Sequence, residues 1–340
     1  MTLPPFPRRI VVTVLATAIG AAVTVALIAW SGSSQILNLL VSGGWALLLV
    51  PLFHLLPILA TTLAWRSLLL EQGWSLPIWH LIWYRWLADS VNALLPVAQV
   101  GGELVRGHLA TRSGITGPVA AASIIVDLTL GLTSLVVFIL GALALCIGGA
   151  TAPAIENMIA PVALFTLMIA SFYHVQRSDL PVKLAHFMER QAGGSAWELI
   201  SGGAASLNHE LKALYAKPSV MVVSASWRLL AWLMGALEMG LALLLLGHAI
   251  GLRQALIFEG VSQVFRNIGF AIPGALGVQE GGMIAAGSLI GLGPELALTV
   301  SLVKRMRDLV LGAPALLGGV REISTKHRPT AFPRPAPSGQ

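Results

Sequence analysis

The residues able to do chemistry fall into two groups. In the first, Glu103 and Arg106 stand at i,i+3 on one helical face, directly after Gly101 and Gly102 and downstream of Pro96. In the second, Glu280 lies within Pro273-Gly274-Ala275-Leu276-Gly277-Val278-Gln279-Glu280-Gly281-Gly282, with Arg266 ahead of that stretch. The next apolar run then carries Lys304, Arg305, Arg307 and Asp308, of which Lys304, Arg307 and Asp308 share a face. Arginine can grip a phosphate bidentately and lysine acts as a point charge. Held around a central polar cavity, such bases would bind an anionic or polyhydroxylated lipid head. The same charges could instead neutralise one another and only fix helix packing. Both readings stand at this point. Glu280 is expected within reach of Lys304, Arg305 and Arg307, with Glu238, Glu259 and Asn267 as further groups able to join the cavity. Glu103 and Glu280 are the candidates for proton coupling, because desolvation disfavours the charged form of a carboxyl group.

Other chemistries find no support. The sequence has no His-Glu-x-x-His, no Gly-x-Ser-x-Gly and no Walker loop, so nothing points to a metal hydrolase, a serine hydrolase or an ATP-driven pump. No catalytic residue, metal site or cofactor is expected. The single cysteine, Cys146, lies in an apolar run and makes neither a disulfide framework nor a thiolate cluster. No basic run is interleaved with aromatics, so nucleic acid is not an expected partner.

These groups sit in a chain of 340 residues that is 56% hydrophobic and 11% charged, against about 25% charged in an ordinary soluble domain. Several runs reach the roughly 20 apolar residues that cross a bilayer. The fold class is therefore an all-α polytopic membrane protein. Irregular backbone and ionisable groups at membrane depth are costly unless protein or a water-filled cavity surrounds them. Pro96, Gly101, Gly102, Pro273, Gly274, Gly277 and Gly281 consequently read as structural hinges, and the charges beside them as the site.

Basic residues mark the cytoplasmic side of a membrane protein. Crossings are expected at Ile10–Trp30, Trp45–Trp65, Pro118–Gly148, Ile155–Val175, Val220–Gly247 and Glu295–Val320, with an uncharged outer loop from Ser31 to Gly44. His54, inside the second crossing, reads as a packing or hydrogen-bonding residue rather than a ligand. Pro77 to Gly114 reads as a re-entrant hairpin, with Arg85, Asp89 and Asn92 on one face of its first helix; the alternative is a crossing followed by a basic cytoplasmic helix. Residues 253 to 291 form the second hairpin. The span from 176 to 217 predicts two short amphipathic helices at the cytoplasmic surface, one of them spaced as Trp197/Ile200/Leu207/Leu211/Leu214. The chain is thus expected to form one membrane domain over residues 1–320, with a disordered cytoplasmic tail at 321–340.

An internal repeat organises this domain, with the first copy near 78–148 and the second near 253–320. Pro96 precedes Glu103 as Pro273 precedes Glu280, and Gly114 and Gly291 follow the two acids at equal distance. Asp127-Leu128-Thr129-Leu130-Gly131 matches Asp308-Leu309-Val310-Leu311-Gly312 if four residues are inserted. Six crossings and two hairpins place both termini in the cytoplasm and make the repeat inverted in topology, the arrangement used for alternating access.

Gly101-Gly102-Glu103-Leu104-Val105-Arg106, the Pro-Gly-x-x-Gly-x-x-Glu-Gly pattern from Pro273 to Gly281, and Leu302-Val303-Lys304-Arg305 resemble the transmembrane region of lysylphosphatidylglycerol synthases. The similarity runs from about Ile10 to Val320. Leu276-Gly277-Val278-Gln279-Glu280-Gly281 and the Lys304-to-Gly312 run are closer to a stand-alone branch encoded with hopanoid-biosynthesis genes. Relatives often carry Gly at the place of Ala275 and a basic residue at that of Gln279. No soluble aminoacyl-transferase domain is expected. The resemblance implies a flippase-like or scramblase-like lipid translocase of the bacterial inner membrane, acting on a polar-headed lipid such as a hopanoid. Its implied partners are membrane lipids, hopanoid-pathway enzymes and further copies of itself. An integral-membrane transferase or a lipid-binding accessory subunit are the alternatives.

Overall fold

The computed structural model describes residues 33–95, 101–146, 195–268 and 275–324, together with residues 26, 29, 30, 167 and 174. Most of the expected first crossing and of the crossing at Ile155–Val175, together with the first amphipathic segment and residues 325–340, lie outside them. So do Pro96, Pro273 and Gly274.

The described elements are helical. Helix α1 is Ser33–Gly43, and a 3-10 turn at Gly44–Leu48 leads into α2, Leu49–Glu71. Then come α3, Ile78–Leu94; α4, Gly101–Arg112; and α5, Gly117–Cys146. The second part holds α6, Ser195–Tyr215; α7, Pro218–Leu245; α8, Leu252–Ile268; α9, Val278–Leu289; and α10, Pro294–Ser324. Three stretches among the described residues are long and apolar enough to cross a membrane: Ser34–Glu71, Gly117–Leu145 and Pro218–Leu245. Along α2 the exposed leucines 52, 55, 56 and 59 form a stripe of helical spacing, the pattern of a surface meant for an apolar surrounding.

Three expectations need correction. The uncharged stretch Ser31–Gly44 is helical over most of its length; Leu39 and Leu40 pack on the main core, and Ile36 is 2% exposed. The leucines 207, 211 and 214 of α6 do not form a membrane-surface face. They dock on Leu68, Ala122 and Val126, so α6 packs against protein. Helix α10 also runs past residue 320 to Ser324.

The two parts of the chain match element for element. Helices α3 and α8 have 17 residues each, and α4 and α9 have 12 each. The long closing helices α5 and α10 have 30 and 31. Gly114 and Gly291, in the turns before them, take positive φ of +95° and +78°, a conformation glycine adopts without strain. Packing is reciprocal as well: α5 of the first part lies on α8 of the second, and α10 lies on α3. The repeat reaches further than its sequence landmarks, since α2 and α7 precede the two short helices in the same way. These two helices pack together and run antiparallel. Glu71, at the end of α2, meets Lys217, at the start of α7, at 3.3 Å, whereas His54, early in α2, meets Glu238, late in α7, at 2.6 Å.

Candidate functional site

A carboxylate inside an apolar helix must find partners among other elements. Asp127 lies in α5 with no exposed surface, and three guanidinium groups converge on it. Arg106 Nη1 donates to Oδ2 at 2.7 Å, Arg85 Nη1 to the same oxygen at 3.3 Å, and Arg228 Nε to Oδ1 at 2.9 Å. Arg228 Nη2 also presses on Oδ2. One carboxylate does not balance three bases, and two more acids complete the set. Asp89 accepts from Arg85 Nε at 3.1 Å, and Glu103 Oε2 stands 2.6 Å from Arg106 Nη2 as an ion pair without hydrogen-bond alignment. The guanidinium of Arg106 also lies 4.6 Å from the ring centroid of Trp65, a cation–π contact.

The second part of the chain builds its own network. Glu238 receives Arg307 Nη1 and, at 2.6 Å, faces His54 Nδ1. Arg307 turns its other edge to Asp308 Oδ1, at 2.6 Å from Nη2. Lys304 donates to Glu259 Oε2 at 3.0 Å, and Gln263 Nε2 supports the same carboxylate at 2.6 Å. Arg305 holds Glu280 Oε1 at 3.0 Å, while the Gly277 N–H donates to its Oε2 at 2.7 Å. That places an acid on the positive end of α9. Among the described residues, Arg266 makes neither a hydrogen bond nor an ion pair, and it lines the same cavity as Asp308.

Both networks face one cavity of about 330 Å³ between the two parts, lined from α2, α3, α4, α5, α7, α8 and α10. Its polar wall continues into an apolar one that includes Leu128, Leu135 and Trp232. The two networks are also related in register. Gly117 and Pro294 follow Glu103 and Glu280 by the same interval, so the turn has no room for the four-residue insertion expected from the sequence match. The ungapped register pairs Asp127 with Lys304, not with Asp308. Aligning the starts of α3 and α8 likewise pairs Arg85 with Glu259. The ion pair Arg85–Asp127 thus recurs with its charges exchanged as Glu259–Lys304.

The model of the lysylphosphatidylglycerol synthase TM region matches residues 17–315 of this chain. The chain belongs to that family. It is therefore a membrane protein related to lipid modification or flipping. Nothing among curated proteins or solved structures matches it.

Within this member of the synthase TM-region family, the residues expected at the site divide. Glu103, Arg266, Lys304, Arg307 and Asp308 line the cavity, whereas Arg106, Arg305 and Glu280 do not. Of the three bases expected near Glu280, Arg305 holds it; Lys304 and Arg307 turn to Glu259 and Glu238. Arg85, Asp89, Arg228, Glu238 and Glu259 also line the cavity. Asp127 was readable only as a repeat landmark; its position inside a long apolar helix was the signal that it needed bases. His54, expected to pack or to hydrogen-bond, contacts both Glu238 and Arg307. The glycines differ too. Gly102 gives its N–H to Asn92 Oδ1 at 2.8 Å and lies against the α3 backbone at Ala88. Gly277 takes φ +79° at the start of α9, and Gly281 has open space around it. Ala275 adopts φ +50°, the left-handed region in which glycine carries no penalty.

Proposed function

We propose that this protein is a lipid translocase, flippase-like or scramblase-like, that passes a polar-headed lipid between the leaflets of the bacterial inner membrane. The observation that carries this reading is the charged cavity between two matching parts whose leading helices, α2 and α7, run antiparallel. An inverted repeat around a central polar site is the architecture of alternating access. In this proposal the termini are cytoplasmic, and the pairs α3/α4 and α8/α9 are re-entrant hairpins between six crossings. The 12-residue α4 and α9 reach about 18 Å, short of the roughly 30 Å hydrocarbon core. A hopanoid is the lipid suggested by the stand-alone branch that the sequence resembles, with the enzymes of its synthesis as partners. Glu103, Arg266, Lys304, Arg307 and Asp308 form the passage wall in this proposal. Glu280, Arg305 and Arg106 brace the helices behind it.

One observation favours a second reading, an integral-membrane transferase. His54 and Glu238 form a close histidine–carboxylate pair on the cavity wall, the kind of pair that serves general acid–base chemistry. Reconstitution separates the two. Proteoliposomes with fluorescent lipid in both leaflets should lose protection of the inner-leaflet label from an impermeant quencher, while mass spectrometry finds the lipid unchanged. A chemically altered lipid with full protection retained would replace the translocase reading by the transferase one.

A further inference from the structure

The bases of this site are not a free cationic cradle. Arg85, Arg228, Arg266, Lys304 and Arg307 line the cavity. Asp89, Glu103, Glu238, Glu259 and Asp308 line it too. Among the described residues the wall is therefore formally balanced, five against five, and Asp127 and Arg106 behind it add one charge of each sign. A head with net charge, once stripped of water, would leave an uncompensated charge in this enclosure, which is strongly unfavourable. A head without net charge avoids that cost.

The balance is uneven in space. Arg307 contacts two carboxylates, those of Glu238 and Asp308, whereas Arg266 contacts none among the described residues. Beside Arg266, Asn267 also lines the wall. Asn267 Nδ2 donates to the Gln263 carbonyl at 2.8 Å, so the cavity presents the guanidinium donors of Arg266 on one side and carboxylate oxygens on the other, and a ligand must offer acceptors and donors together. A phosphoglycerol head can also do both, through its phosphate and its hydroxyls, so what disfavours it is the net charge it brings into a balanced wall.

We infer that the cavity selects lipid heads that carry no net charge but both donate and accept hydrogen bonds, a polyol or a primary-amine zwitterion, over anionic heads. This deepens the translocase reading and rests on it. The probes are acyl-labelled fluorescent lipids bearing glycosyl, phosphoethanolamine or phosphoglycerol heads, in phosphatidylcholine vesicles containing the protein. The glycosyl or phosphoethanolamine lipid should cross at least tenfold faster than the phosphoglycerol lipid, and comparing those two separates a polyol from a zwitterion. Asp89→Asn removes a half-exposed acid and should raise the relative rate of the phosphoglycerol lipid at least threefold. Arg266→Gln breaks no ion pair and should lower that relative rate. Phosphoglycerol transport as fast as that of the neutral heads, or both substitutions shifting selectivity in one direction, would overturn the inference. If no lipid crosses, the translocase reading fails, and head preference is then read from thermal stabilisation in detergent by short-chain forms of the same lipids. Stronger stabilisation by the uncharged heads would still uphold the selectivity, and equal or stronger stabilisation by phosphoglycerol would end it.

Discussion

Asp127 and Lys304 occupy equivalent positions in the two halves of the molecule and carry opposite charges. Each lies the same number of residues into its long helix. Each meets an equivalent residue two helices earlier: Arg85 of α3 at 3.3 Å for Asp127, and Glu259 of α8 at 3.0 Å for Lys304. His54 and Arg228 are matched as well, at equal distances from the ends of α2 and α7. His54 reaches Arg307 on the other half's long helix, and Arg228 reaches Asp127.

The exchanged pair gives the first prediction. The double substitution Glu259→Lys with Lys304→Glu reproduces the polarity of the first half and should keep thermal stability in detergent near that of the parent. Each single change buries like charges together or leaves one unpaired, and should cost about 3–5 kcal/mol. A double variant as unstable as the singles would show that the pair is not interchangeable.

The second concerns Asp127, which serves three arginines. Asp127→Asn should destabilise by about 3–5 kcal/mol or more, seen as lost membrane abundance and a lowered melting temperature. Arg85→Gln should cost less, since Arg106 and Arg228 still hold the carboxylate. The reverse ranking would remove Asp127 from the centre of the network.

The glycines supply a third. A methyl at position 102 would lie 2.1 Å from the carbonyl oxygen of Ala88, and backbone cannot turn aside as a side chain does. Gly102→Ala should therefore destabilise by about 1–3 kcal/mol or more. Gly281→Ala enters open space in a helix and should be neutral or gain about 0.5–1 kcal/mol. Thermal unfolding of the two variants checks the contrast, which disappears if α3 and α4 do not pack this closely.

Topology gives the fourth. On a Cys146→Ala background, cysteines replacing Ser178 and Ser324 should resist an impermeant maleimide in intact cells, and one replacing Gly32 should react. Labelling at position 178 from outside would remove the six-crossing arrangement.

That α4 and α9 are set off from α3 and α8 was foreshadowed in sequence because proline and glycine disrupt helices locally, although Pro96, Pro273 and Gly274 themselves lie outside the described residues. The long apolar helices were readable through composition alone. Partnership was not readable. The bases of Asp127 come from positions 42, 21 and 101 residues away, and Glu238 finds Arg307 69 residues on. No spacing rule links such residues. The register of the repeat was misread for a related reason. Lys304, the true counterpart of Asp127, and Asp308 lie about one helical turn apart, so the wrong register still matched Asp127 to a residue on the correct face.

In the proposed translocase one cavity faces each side of the membrane in turn, and the accessibility of a thiol placed there follows from it. Thr61 lines the cavity and bonds only to backbone carbonyls within α2, so Thr61→Cys, on the Cys146→Ala background, places a thiol there with little change in size. In sealed vesicles, the account predicts that an impermeant maleimide modifies this cysteine when added from either side. It also predicts that a lipid bound in the cavity slows both reactions. Modification from one side only, at every lipid composition, would contradict alternating access and with it the translocase.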